Sequence, residues 1–384
     1  MNDLAGALQL RPGVPVPHSL LSSRQAWAAR LAPGRPAEAW PGLLASLFSL
    51  CGHAHRTASQ LAIQAVEPGP LPAMVPVAAT LQRETALEHL RRIALDWPRL
   101  LAAPGQVPEA SARAADGLRR CPLIASPLSP DPWPALRQWL QDEWLQMNPA
   151  TWLRAWQACG ADWLDDWSRR HPGWLPALLR SAREADMALP GAHEQALRPH
   201  AAEASLRVLG AAVAAGAVDV LQPCWEGRPA CTGAWSRLHD GTPARPWTAW
   251  SLLGSRLAEL VRLSLPDAPG EGGAGWLAWG ALATGPRQGL AWVEMARGLL
   301  IHQVTLEETP AGQPCRLRAA QVLAPTEWNF HRSGVAAQAL AALPAAAPDL
   351  HARVRLLMAA LDPCVSFEIA APIVQDVRLE VQHA

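Results

Sequence analysis

The chain has 384 residues, half of them hydrophobic, with 33 basic and 33 acidic side chains. That balance leaves no electrostatic footprint for nucleic acid or an anionic membrane, and no apolar run of about 18 residues exists to form a spanning helix. The opening MNDLAGALQL lacks a basic start followed by an apolar core, so no signal peptide is expected and the protein is expected to be soluble and cytoplasmic.

In chain order, a short extended lead precedes helical patterns at Gln25 to Arg30 and Gly42 to Leu50, punctuated by Pro33, Pro36 and Pro41. His55 to Val66 continues as a helix until the Pro-rich EPGPLPAMVP breaks it, and helical spacing returns at Thr80 to Leu95. Residues 102–134, rich in Pro, Ala and Ser, read as a loop or connection. Helical patterns then dominate from Trp133 to about Val218. After Leu221 the character changes. Gly275 to Ala283, Gly289 to Met295, Leu299 to Glu307 and Cys315 to Leu323 have strand-like length, β-branched content or alternation, with Gly/Pro turns between them and EETPAGQPC as a hairpin loop. Two last helices should start near Gly334 and Asp349. The expected class is α+β, mostly helical with a C-terminal antiparallel region. One domain over 1–384 is expected, its helical part about 20–220 and its β-containing part, with the last cysteine segment, about 221–384.

Trp is abundant at 19 residues, while Tyr and Lys are absent. The stretch Trp133 to Trp174 reads as amphipathic helices packing large rings. The seven cysteines (51, 121, 159, 224, 231, 315 and 364) are odd in number and include no C-x-x-C pair. Neither a disulfide framework nor a structural zinc site is expected, and most of these thiols should be small core residues.

Four segments resemble the nickel-iron hydrogenase large subunit. Cys51, His55, Ala58 and Ser59 match the second cysteine and the later conserved-type positions of that family's C-G-x-C-x-x-x-H-x-x-A-S, whereas the position of the first cysteine is Phe48. Asp362-Pro363-Cys364 matches the start of D-P-C-x-x-C-x-x-H, but the second cysteine is Phe367 and the histidine is Ala370. Glu294 to His302 is similar to E-A-P-R-G-x-L-x-H, with Arg297 at the arginine. Ala324 to Asn329 is similar to V-P-[TS]-T-W-N, with Pro325 and Thr326 in register. Thr232 to Arg237 is a weaker fifth match, to V-G-P-L-A-R.

The resemblance implies a large-subunit-like fold with both chain ends meeting at a buried centre. It also implies that hydrogen turnover is absent, because nickel in the parent site needs four thiolates and two are missing here. It further implies that Arg297, Pro325 and Thr326 form a cyanide/carbonyl-ligand pocket, with guanidinium and hydroxyl as donors to cyanide nitrogen. Cys51 and Cys364 would anchor an Fe(CN)2(CO) fragment transiently, without nickel, and His55 would support them from behind. The combination resembles the HupK/HoxV type of hydrogenase formation protein, a scaffold that is not an enzyme. Its partners would be the maturation proteins that deliver the iron fragment and the hydrogenase large-subunit precursor, with no nucleic acid or membrane. Two other readings stay open: a metal-free docking module that mimics the large subunit and binds maturation factors, and an enzyme using Cys51 with His55 as nucleophile and base.

Overall fold

The computed structural model describes residues 5–67, 76–189, 195–242, 247–268, 270–308, 310 and 313–370. The extended lead forms β1 (Ala7–Leu10) and β2 (Leu20–Ser22), an antiparallel pair. Helices α1 (Trp27–Leu31), α2 (Trp40–Leu47) and α3 (Gly52–Gln64) come next. Helix α4 (Val77–Arg91) passes through a wide π turn at 92–96 into α5 (Trp97–Leu101). The connection expected over 102–134 instead contains α6 (Val107–Arg119) and α7 (Pro122–Ala125). Its alanines are strong helix formers, and Pro108 and Pro122 sit in the first turns of α6 and α7, where no N–H is needed. Most of the EPGPLPAMVP break and part of the EETPAGQPC loop lie outside the described residues.

The tryptophan-rich body is α8 (Trp133–Trp139), α9 (Pro149–Cys159), α10 (Ala161–Arg170) and α11 (Trp174–Arg183), with α12 (Glu203–Ala214) after it. Its rings pack on one another as expected. Trp152 stacks on Trp156 at 6.2 Å and meets Trp167 edge-on at 5.6 Å.

After a two-residue-per-strand hairpin, β3 (Cys224–Trp225) with β4 (Arg228–Pro229), comes α13 (Ala249–Ser264), a helix absent from the sequence-based expectations. Every residue of α13 is buried, and it packs against α4, α8, α9 and α10. Its polar stripe of Ser251, Ser255, Glu259 and Arg262 faces the interior, where Glu259 is paired with Arg237.

The antiparallel sheet has the order β5 (Trp279–Gly285), β6 (Gln288–Met295), β7 (Gly298–Leu306) and β8 (Leu317–Leu323). Helix α3 lies across β6 and β7. The approach is tight enough that a Cβ on Gly289 would lie 1.9 Å from the Ala62 carbonyl oxygen. The chain ends with α14 (Pro325–Asn329), α15 (Val335–Ala341), α16 (Leu350–Leu361) and β9 (Ser366–Ile369). Strand β9 runs parallel to β1, with Leu8 opposite Phe367. The two ends of the described chain therefore meet, and α13 against α16 carries the C-terminal segment into the core. Among the described residues, no helix is long and apolar enough to cross a membrane.

Candidate functional site

Cys51 closes a short 3-10 turn directly before α3. The start of α3 is fixed by Glu84 of α4, whose carboxylate accepts from the backbone N–H of His53 at 2.9 Å and of Ala54 at 2.8 Å. Cys364 comes from the opposite end of the chain, in the turn between α16 and β9. That turn begins at Asp362, which ends α16 in the left-handed region at φ 50°. Three arginines hold the Asp362 carboxylate: Arg92 at 2.8 Å, Arg256 at 3.1 Å and Arg297 at 3.4 Å. Their charges, set against burial, keep it below the ordinary aspartate range.

Both thiols line one cavity of about 130 Å3, together with Arg24, Trp27, Phe48 and Leu50. This volume suits a group of a few atoms and falls below the several hundred Å3 of a typical organic-ligand pocket. Burial pushes the Cys51 thiol well above its ordinary pKa, and the Arg297 guanidinium partly opposes that shift. Burial also penalises the Arg297 charge, but Asp362, Cys51, Cys364 and Glu88 more than compensate.

Arg297 occupies the tight β6–β7 turn. The next residue, Gly298, has φ 131°, and a Cβ there would lie 2.5 Å from the Thr232 side chain. Thr232 in turn accepts from the Leu299 N–H at 2.9 Å and is clamped by Asn329, which accepts from its N–H at 2.8 Å and donates to its carbonyl at 2.9 Å. The weak fifth match and two stronger ones thus interlock in space. Arg297 ion-pairs with Glu88 at 3.4 Å, yet its Nη1 is buried without a hydrogen-bond partner.

Pro325 starts α14, and the adjacent Thr326 hydroxyl donates to Cys364 Sγ at 3.1 Å. In this structure, then, the Thr326 donor faces a sulfur. His55 lies one turn into α3, sandwiched between Phe48, stacked at 4.1 Å, and His302 of β7, whose Nε2 is 3.0 Å from His55 Nδ1. The imidazole is committed to a second imidazole, and burial depresses its pKa well below the usual value. This gives no support to a Cys51–His55 nucleophile and base.

The two missing cysteine positions differ. Phe48 borders the cavity, whereas Phe367 is part of β9 and packs on the main core. Among the described residues, no three His, Cys, Asp or Glu side chains are grouped as a metal site. Cys51, Cys121 and Cys231 are buried, but Cys159 and Cys224 are exposed and the other two half-buried, so the expectation that most thiols are core residues is corrected.

Sequence reasoning missed Arg24. It comes just after β2, its Nη1 lies 3.5 Å from Cys364 Sγ, and its Nε meets Glu327 at 2.5 Å. Arg24 has no motif around it. Glu327, in contrast, is visible as a departure inside a matched segment.

No protein-family model matches the chain. It is 40% identical over 376 residues to the hydrogenase expression/formation protein HoxV of Cupriavidus necator, covering 95% of each chain. It is 31% identical over 371 residues to the hydrogenase expression/formation protein HupK of Rhizobium leguminosarum bv. viciae, covering 91% of this chain and 90% of that one. The HupK of Azotobacter vinelandii is likewise 31% identical over 359 residues, covering 89% and 90%. The fold matches the NiFeSe hydrogenase of Desulfovibrio vulgaris Hildenborough in its reduced state, with TM-score 0.52 at 13% identity over 90% of this chain and 92% of that one. An oxygen-pressurised variant of that enzyme gives TM-score 0.53 at 13% identity over 92% and 93%. The mostly helical α+β fold with its C-terminal antiparallel sheet is therefore that of the nickel-iron hydrogenase large subunit.

Proposed function

The chain belongs to the HoxV/HupK family of hydrogenase expression/formation proteins, and from that premise we propose that it is a non-catalytic scaffold that receives, holds and hands on an Fe(CN)2(CO) unit. The observation that carries this reading is that Cys51 and Cys364 line one small cavity, with the buried Arg297, whose Nη1 has no hydrogen-bond partner, within electrostatic reach of both thiols though not in the cavity wall.

The donor set suits the cargo. Two soft thiolates can take two positions on the iron, while cyanide and carbonyl carbons bring the remaining ligands with them. Cyanide nitrogen accepts charge-assisted hydrogen bonds, which the free Nη1 of Arg297 can supply. The Thr326 hydroxyl holds the Cys364 sulfur, and Asp362 with its three arginines fixes the turn that presents it. Phe48 fills cavity wall where the parent pattern has a third thiolate, so a nickel ion has no soft ligand set to enter. With half the parent thiolates, release to a large-subunit precursor is easier than from the parent site. The partners of this reading are maturation proteins that deliver the fragment and the large-subunit precursor that receives it.

The test is infrared spectroscopy with iron and nickel analysis on full-length protein made without oxygen in a host carrying the maturation genes. Cyanide and carbonyl bands with iron and no nickel are expected, and they should vanish in Cys51→Ala and Cys364→Ala. A silent spectrum without iron, in a protein that still supports maturation, would decide for a metal-free docking module.

A further inference from the structure

Arg24 is out of place for a surface arginine. Its side chain is only 12% exposed, its Nε is held by the buried Glu327, and its Nη edge faces the cavity. Nη1 lies 3.5 Å from Cys364 Sγ and 3.4 Å from the Ala5 carbonyl oxygen. Burial opposes its charge, and Glu327 and Cys364 more than restore it. A guanidinium presents five N–H donors in a rigid fork, and fixing one edge on a carboxylate aims the other.

We propose that Arg24 is a second ligand-binding guanidinium of this site, donating from the more exposed side to the bound iron fragment and to the Cys364 sulfur, with Glu327 as the residue that aims it. This inference rests on the scaffold reading. Charge supports it. Ferrous iron with two cyanides, one carbonyl and two thiolates carries a net charge of minus two, which is costly to bury alone. Arg24 lies beside Cys364 at the cavity and Arg297 is buried within electrostatic reach of both thiols; their net charge is already paired with Glu327 and with Glu88 and Asp362, so what they offer that dianion is charge-assisted N–H donors. The competing view is that Arg24 only ties the segment after β2 to α14.

The experiment uses full-length protein made anaerobically with the maturation genes, comparing wild type with Arg24→Met, Arg24→Lys and Glu327→Gln by iron content after gel filtration and by infrared band positions. Arg24→Met is expected to retain about tenfold less iron, the size of one charge-assisted hydrogen bond. Arg24→Lys keeps charge without the fork, so iron returns but the cyanide bands stay displaced from wild type. Glu327→Gln leaves the guanidinium unaimed and displaces the bands at near-normal iron. Wild-type iron and wild-type bands in Arg24→Met would overturn the inference and leave the scaffold reading standing. If Arg24→Met fails to fold, unshifted bands in Arg24→Lys and Glu327→Gln overturn it equally. Wild-type protein with neither iron nor bands overturns both.

Discussion

The Thr326 hydroxyl lies 3.1 Å from Cys364 Sγ, and the Cys364 backbone N–H returns to the same hydroxyl at 3.4 Å. One side chain thus fixes both ends of the cysteine. Thr326→Val is expected to cost about 1 kcal/mol of unfolding free energy and to speed loss of iron, whereas Thr326→Ser should restore both. Urea denaturation and iron retention over time check this. If Val and Ser behave alike, the hydroxyl has no part in holding the sulfur.

The buried imidazoles set an acid limit. Burial brings His302 down to about 3 and drives His55 well below its ordinary value, where the neighbouring His302 adds to the effect. The unfolded chain therefore binds protons to these rings below about pH 6.5 while the folded chain does not, so stability falls as pH drops from there toward 3. Between pH 6.5 and 5 the loss through His302 should be about 1.6 kcal/mol, with His55 acting in the same direction. Thermal unfolding across this range should flatten in His302→Gln. An equally steep profile in that variant would place the acid sensitivity elsewhere.

Thiol reactivity should track burial rather than motif. Cys159 and Cys224 are exposed, while Cys51 is buried and its thiol raised well above the ordinary range. At neutral pH, iodoacetamide should label the two exposed thiols first and leave Cys51 at least about 100-fold slower than a free cysteine. Peptide mass mapping against time reads this directly. Cys51 must also lose its proton to bind a metal, so retained iron should rise with pH across the neutral range, by up to about tenfold per unit for each proton released.

Behind the site, Arg237 is wholly buried against Glu259, with contacts of 2.6 and 2.9 Å, and also donates to the Met295 carbonyl at 2.7 Å. His89 at 2.8 Å and the Trp276 N–H at 3.0 Å complete the carboxylate's partners. Arg237→Met strands Glu259 in the core and should cost about 3–5 kcal/mol. Adding Glu259→Gln should recover part of that loss, because the stranded charge is then gone. Denaturant midpoints of the two variants test the coupling.

Much of this architecture is legible in the sequence. The four strands of the large sheet stand between Gly/Pro turns and fall near their expected limits, β5 starting at Trp279 rather than Gly275. Cys51, Cys364, Arg297 and Thr326 stand in ordered segments that the fold brings together. The features that escape notice do so for physical reasons. Helix α13 carries a polar stripe, Ser251, Ser255, Glu259 and Arg262, but that stripe is buried, with Glu259 ion-paired to Arg237, so it marks no solvent face. Helix α6 lies under prolines and alanines that also occur in loops. Arg24 and Glu84 act on the cysteines from elements distant in sequence, and nothing local marks a charge that matters only after folding. The His55–His302 pair depends on α3 crossing β7, which no local pattern encodes.

The parallel pairing of β1 with β9 has a consequence for synthesis. Leu8 cannot meet Phe367 until nearly the whole described chain has been synthesised, and the same holds for the meeting of Cys51 with Cys364. Both are contacts of long sequence separation, the kind whose loop-closure cost must be met before the contact rewards it. A truncated or stalled chain has a Cys51 but no second sulfur to set beside it.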